Sequence, residues 1–178
     1  MSRIPRIRRF ALAALALSTS IALFRGDVAQ ALVIRGDDYL YRGGASAALY
    51  RYRLALRLDP RAESAADHFI FAALERRSPG DLNAAVRIAD SFLLQSGSNA
   101  TILADRALCL LIERRYRAAE IDFERSAAIS ASVQQYVFAG WAARHQGRDG
   151  DAKRLWHDAL RLSPANAAAR RALASLNR

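Results

Sequence analysis

Apolar side chains recur along most of the chain at the three- and four-residue spacing of amphipathic helices, and short polar breaks separate one helical stretch from the next. The breaks at Gly43–Gly44, Ser98–Asn99 and Gly147–Gly150 contain residues that favour turns, and Pro60 and Pro164 each end a helical stretch. Ala and Leu dominate the sequence, and β-branched runs are rare. The pattern therefore predicts an all-α chain built from short helices.

Residues 1–31 follow a different pattern. Four arginines precede an uncharged run of 15 residues at 10–24, and Ala29-Gln30-Ala31 then supplies small side chains at the spacing that signal peptidase accepts. This order predicts a secretory signal peptide. The alternative is an uncleaved membrane anchor, although a spanning helix needs about 20 apolar residues. Because the positive charge precedes the run, either alternative places residues 32–178 on the far side of the membrane.

The helical part of the sequence repeats itself. Residues 32–60 align with residues 136–164 at a constant offset of 104, and a third copy, which includes Leu103, follows the first by 71 residues. The corresponding positions hold small, aromatic and proline residues: Gly36, Ala48, Tyr52, Ala55 and Pro60 in the first copy, Ala107, Ala119 and Phe123 in the third, and Gly140, Ala152, Trp156, Ala159 and Pro164 in the last.

A second copy fits between these, at about residues 63–98. Residues 81–94 have a helical pattern, whereas the first half of this copy does not show the repeat clearly. Ser78-Pro79-Gly80 predicts a lengthened turn between the two halves. The sequence leaves the register of this copy uncertain by one or two residues.

These positions resemble the tetratricopeptide repeat, and the resemblance covers residues 29–164. It implies a right-handed α-α superhelix, or solenoid, of about four helix pairs, followed by a C-terminal capping helix within residues 165–178. The chain would then consist of a signal peptide or anchor at 1–31 and a repeat domain at 32–178. In such a repeat, small residues let paired helices approach closely, while large residues such as Tyr52 and Trp156 fill the remaining space.

The charge of the chain is strongly positive. The formal net charge is +10, and all but one of the 27 basic residues are arginine, since Lys153 is the only lysine. The arginines are spread along the chain rather than gathered in one stripe. They suggest an alternative function, the binding of anionic ligands such as nucleic acid or acidic glycan through arginine-rich surfaces.

The sequence shows no pattern typical of an enzyme, a metal site or a cofactor site. Cys109 stands alone in an apolar run, which predicts a small buried side chain. His68, His145 and His157 do not pair at a metal-ligand spacing on one helix face. No phosphate-binding glycine loop and no nucleophile motif is present. We therefore expect a protein without catalytic activity, metal or cofactor.

The resemblance also implies a concave groove formed by the first helices of successive repeats, which takes up a peptide or protein partner. Trp141 is the expected anchor. The chain has no lysine on these helices, so the carboxylate-gripping specificity of some family members is not expected. The predicted groove residues are Val33, Asp37 and Leu40 in the first copy, Ala104, Leu108 and Leu111 in the third, and Val137, Trp141 and Arg144 in the last.

The predicted function is that of an exported scaffold or adaptor of the cell envelope, periplasmic, secreted or anchored in the inner membrane, that docks a partner protein. Nucleic acid is the less expected partner, and membrane contact would occur only through an uncleaved N-terminal segment. Binding of an anionic ligand would weaken steeply as ionic strength rises, and binding in an apolar groove much less.

Overall fold

The structure is a computed structural model that describes the backbone of residues 6–176 and the side chains of residues 24–176. Within residues 6–176 the chain forms nine α-helices and no β-strand, which confirms the predicted all-α class. The helices are α1 (Arg6–Tyr41), α2 (Ala45–Leu58), α3 (Glu63–Arg76), α4 (Pro79–Ser96), α5 (Ala100–Ile112), α6 (Tyr116–Ser130), α7 (Val133–Arg144), α8 (Asp149–Leu162) and α9 (Ala167–Ser175).

The helices belong to two compact units. Unit 1 is Met1–Ala65 and unit 2 is Ala66–Arg178, so that α3 begins at the end of the first unit. In unit 1, α1 packs along α2. In unit 2, each helix from α4 to α9 packs against the next one in the chain. Short connections between consecutive helices enforce this neighbour-to-neighbour packing, which is typical of helical repeats.

Helix α1 continues without a break through Ala29-Gln30-Ala31, the predicted cleavage site. Ala29 is buried, and the Ser64 hydroxyl donates a hydrogen bond of 3.3 Å to Oε1 of Gln30. Residues 1–5 lie outside the described residues, and so do the side chains of most of the predicted signal or anchor run. Among the residues described, no helix is both long and apolar enough for a membrane span.

In the first and last pairs, the two helices meet where a glycine of the first helix faces an aromatic ring of the second. Gly36 faces the ring of Tyr52, and Gly140 faces the indole of Trp156, so closely that a methyl group at either glycine would collide with ring atoms. The indole N–H of Trp156 donates a hydrogen bond of 3.2 Å to the Val137 carbonyl. The small residues thus accommodate a ring of the partner helix, as well as allowing the helices to approach closely.

The second repeat is complete, and the expectation of a lengthened turn at Ser78-Pro79-Gly80 is wrong. Ser78 is the N-cap of α4, and Pro79 is the first residue of that helix, where its missing N–H and fixed φ are favourable. The first half of the repeat forms α3, a helix of 14 residues. Helix α4 has 18 residues, whereas α2 and α8 have 14, so the second repeat is longer than the others.

In the second repeat, the larger side chain stands on the first helix of the pair instead of the second. Gly36 and Tyr52 are 16 residues apart, as are Gly140 and Trp156. The same spacing in the second repeat joins Ile70, which is fully buried, to Val86, which is nearly so. The first helix therefore carries the larger side chain here, and a search for a small residue followed by an aromatic one does not detect the repeat.

Three turns between paired helices share one backbone geometry. Gly43, Arg114 and Gly147 have positive φ values of 79°, 59° and 73°. Each donates its N–H to the carbonyl three residues earlier, at 3.0, 3.0 and 2.8 Å, and the next N–H donates to the carbonyl five residues before it, at 2.7, 2.8 and 3.1 Å. This left-handed helix ending suits glycine best, because a β-carbon is unfavourable at positive φ.

Buried ion pairs join neighbouring helices of unit 2. Arg106 on α5 donates to both carboxylate oxygens of Asp122 on α6, each at 2.7 Å, and to Asp90 on α4 at 2.5 Å. Glu120 on α6 is almost fully buried and pairs with Arg148, the N-cap of α8. Removing one partner would leave an uncompensated buried charge, so these arginines are structural.

Two helices begin with a capping asparagine. Asn99 accepts a hydrogen bond of 3.0 Å from the Ile102 N–H at the start of α5, and Asn166 accepts one of 2.9 Å from the Ala169 N–H at the start of α9. Helix α9 packs on α8. It occupies the segment in which the sequence predicts a C-terminal capping helix.

Two glycine-to-alanine variants test the glycine–ring contact. Gly140→Ala should lower the free energy of unfolding by about 1–3 kcal/mol, because its methyl group overlaps the buried Trp156 indole. Gly150→Ala, in the first turn of α8 with open space around it, should instead raise that free energy by up to about 1 kcal/mol. Urea unfolding of both variants measures the difference. Similar effects at the two sites would contradict the contact.

Candidate functional site

The three predicted groove residues of unit 1 lie in different environments. Val33 is 1% exposed and belongs to the core. Asp37 is half-buried, and its Oδ1 accepts a hydrogen bond of 2.8 Å from the Tyr52 hydroxyl. Burial and this carboxylate together raise the pKa of Tyr52 well above its usual value. Leu40 is half-buried. Asp37 and Leu40 thus keep accessible surface, and Val33 does not.

The groove residues predicted on α5 and α7 also divide into two groups. Ala104 and Val137 are 7% and 5% exposed, so they support the helix packing rather than contact a ligand. Leu108 and Leu111 are half-buried on α5. Their partial exposure leaves an apolar face on this helix.

Trp141 and Arg144 form a layered cluster on α7. The Trp141 ring meets the Trp156 ring edge-on, with 5.3 Å between centroids, and the Arg144 guanidinium lies 5.8 Å from the Trp141 centroid. Arg144 also donates to the Ser175 hydroxyl and, at 3.4 Å, to the Ser175 carbonyl at the end of α9. Trp141 is held by these two neighbours and stays half-buried, so part of the residue remains accessible.

Helix α3 contributes two residues that the sequence did not assign. The burial pattern of α3 matches that of α5 at a spacing of 37 residues, which pairs Ile70 with Ala107. The same spacing places Asp67 and Phe71 at positions equivalent to two predicted groove residues of α5. Phe71 is 53% exposed. Aligning the second repeat with the third by the pattern of buried positions, instead of by small residues, would have identified both residues.

Asp67 on α3 lies close enough to Asp105 on α5 for the two carboxyl groups to interact. Burial, as the largest cause, and the neighbouring carboxyl group of Asp67 together raise the pKa of Asp105 to about 7. Asp105 lies one helical turn before Leu108 on α5. The face formed by α3 and α5 is therefore acidic as well as apolar.

The remaining candidate chemistry is structural. Cys109 is buried, and burial raises the pKa of its thiol to about 12, so the reactive thiolate is scarce at neutral pH. His145 stacks on Tyr116, with 4.7 Å between the ring centroids. Across residues 24–176, the His, Cys, Asp and Glu side chains form no group of three that could hold a metal ion.

Two clefts lie at the turns between paired helices of unit 2. Each has a volume of about 410 Å³. Arg115 lines both clefts. The first is also lined by Arg114, Tyr116, Arg117, Ala118 and Gln146, and the second by Arg77, Pro79, Leu82, Asn83, Ile112 and Glu113.

No protein-family model matches the chain, and no curated protein matches its sequence. Solved structures do resemble it. The chain superposes on MamA protein with a TM-score of 0.73 and 16% identity, over 83% of this chain and 79% of that one. It superposes on a tetratricopeptide repeat protein from Parabacteroides merdae with a TM-score of 0.69 and 19% identity, over 84% and 59% of the two chains.

A third similar structure is pilF of Pseudomonas aeruginosa, with a TM-score of 0.66 and 21% identity, over 85% of this chain and 68% of that one. The chain has the tetratricopeptide-repeat fold. The fold class predicted from the repeat positions is thereby confirmed. At these identities the likeness concerns the tetratricopeptide-repeat fold alone, and the site must be argued from the residues of this chain.

The raised pKa of Asp105 predicts a pH-dependent stability. Because of this raised pKa, the folded state binds the Asp105 proton more tightly than the unfolded chain does. The contribution to stability is therefore complete below about pH 4 and is lost as the pH rises to about 7. Asp105→Asn should remove this decline, and the variant should melt at a higher temperature than the wild type above pH 7.

Melting curves between pH 4 and pH 8 provide the measurement. Asp149→Asn, at an exposed carboxylate in the first turn of α8, is the control and should keep the slope of the wild type. An Asp105→Asn variant with an unchanged slope would show that the fold does not raise the pKa of Asp105.

Proposed function

We propose that this protein is an exported scaffold or adaptor of the cell envelope that docks a partner protein or peptide on the first helices of its repeats. The tetratricopeptide-repeat fold supports the proposal, because each helix pair exposes one face of its first helix to a partner. The order of basic, apolar and small residues in positions 1–31 supports export. The proposal includes no catalysis and no cofactor.

The observation that carries the docking proposal is the environment of Trp141. Its ring contacts Trp156 and the Arg144 guanidinium, and the residue remains half-buried. A rigid, partly exposed aromatic ring gives much contact area at little cost in conformational entropy. The half-buried Leu108 and Leu111 on α5 add apolar surface of the kind that an amphipathic or extended peptide contacts.

On α3 and α5, the proposed docking face carries acidic residues and therefore favours a positively charged partner. Asp67 and Asp105 bring negative charge next to the exposed ring of Phe71. A partner with a basic residue flanked by apolar ones would complement this surface, whereas an acidic segment would be repelled. The binding of nucleic acid on this face is disfavoured for the same reason.

The predicted docking face can be tested by photo-crosslinking in the cell envelope. A photoreactive phenylalanine analogue at Leu108 should capture a defined protein band. The same analogue at Ile129, an exposed residue of α6, is the matched control and should not capture that band. Equal capture from both positions would contradict docking on the first helices.

Trp141→Ala should weaken binding of the captured partner by about 2 kcal/mol, as buried aromatic contacts do. The variant also loses the edge-on contact with Trp156, which is worth about 0.5–1.5 kcal/mol of stability. Calorimetric titration and a melting curve on the same variant separate the two effects. A variant that is destabilised but binds the partner normally at low temperature would overturn the role of Trp141.

Export and processing are tested by fractionating cells and sequencing the N-terminus of the exported protein. Cleavage at the predicted site gives a protein that begins with Leu32. Such cleavage would remove Ala29 and Gln30, which contribute to the packing and hydrogen bonds of unit 1. An intact Met1 in the membrane fraction would instead establish the anchor, and a protein found only in the cytoplasm would overturn export.

A further inference from the structure

Arg114 occupies a backbone conformation that suits glycine. Its φ of 59° is left-handed, and its turn has the same hydrogen-bond pattern as the turns in which Gly43 and Gly147 stand. Arg77, in the corresponding turn of the second repeat, also has a left-handed φ, of 51°. A side chain at such a position is strained, because its β-carbon crowds the neighbouring carbonyl. Strain of this kind is often retained for function.

No contact within the described part of the chain compensates for this strain. Arg114 and Arg77 are exposed, and among residues 24–176 neither side chain makes an ion pair or a hydrogen bond. Neighbouring arginines differ in this respect. Arg115 pairs with Glu113 at 3.4 Å, and Arg117 pairs with Glu120, also at 3.4 Å. Two positive charges at these turns are therefore left without a partner in the fold.

The two unpaired arginines line the two turn-side clefts, one in each, and Arg115 lies between them as a shared wall. The walls of the Arg77 cleft include Pro79, Leu82 and Ile112, of which Ile112 is 40% exposed. Glu113 also lines the Arg77 cleft, where it pairs with Arg115, so Arg77 and Arg114 supply the unpaired positive charge beside these apolar contacts. A ligand that fits it carries negative charges and apolar side chains at short spacing.

We propose that the turn-side clefts of unit 2 form a recognition surface for an acidic peptide segment of a partner protein, with Arg114 and Arg77 as its charged contacts. Trp141 does not line either cleft. The partner is a peptide rather than nucleic acid, because the apolar walls suit aliphatic side chains. Tyr116 is the only aromatic residue lining the two clefts, and His145 already covers one face of its ring.

A second copy of this chain does not fit the surface. The chain has a formal net charge of +10, so two positively charged molecules would repel each other at an arginine-rich contact. An acidic segment of a different protein is attracted by the same positive charge, and this attraction raises its rate of association.

Arg114→Gly provides a test with two readouts of opposite sign. Glycine relieves the left-handed strain, so the melting temperature should rise by about 2–4 °C. Removal of the charge should weaken binding of a fluorescein-labelled peptide of glutamate, leucine and glycine by about fivefold at low ionic strength. A purely structural role for Arg114 would not produce this combination.

Arg57→Ala is the matched control, since Arg57 is an exposed arginine of α2 far along the chain from these turns. It should change the peptide affinity by less than about twofold, and Trp141→Ala should leave that affinity unchanged, which separates this surface from the docking face. A labelled peptide with glutamine in place of glutamate should not bind.

Four results would overturn the proposal. The acidic peptide fails to bind the wild-type protein, or it binds Arg114→Gly as tightly as the wild type. Arg57→Ala loses as much affinity as Arg114→Gly, which indicates a diffuse effect of net charge. A single-stranded oligonucleotide of equal charge binds more tightly than the peptide, which assigns the surface to nucleic acid instead.

Discussion

The first and last helix pairs depend on the contact between a glycine of one helix and an aromatic ring of the other. In the last repeat, the Trp156 indole lies against Gly140 and is fully buried, and its N–H is satisfied by the Val137 carbonyl. A ring held on a glycine fixes both the separation and the relative rotation of the two helices. That rotation decides which residues of α7 remain accessible, Trp141 among them.

The second repeat forms its helix pair without a glycine that faces a ring. Ile70 on α3 and Val86 on α4 stand at the equivalent positions, with the larger side chain on the first helix, and both residues are buried. Exchanges among apolar residues are tolerated in protein cores when total volume and pattern are kept. They hide the repeat from any pattern defined by glycine and aromatic positions, although the fold of the helix pair is retained.

The arginines of this chain have two different roles. Arg106 and Arg148 neutralise the buried carboxylates of Asp122 and Glu120, so they tie neighbouring helices together. Arg114 instead occupies a strained turn position and neutralises nothing in the described part of the chain. The net charge alone does not distinguish these roles, because it counts a buried, paired arginine and an exposed, unpaired one equally.

The sequence by itself determined the helical class, the first, third and last repeats, the turns at Gly43 and Gly147, and the burial of Cys109. These features follow from local spacing and from residues whose backbone preferences are strong. Only the tertiary structure decided that Val33, Ala104 and Val137 are buried while Trp141 stays accessible, and that Asp67 meets Asp105. The helical period specifies a face to within about one residue, and packing against neighbouring helices then decides which residues of that face are covered.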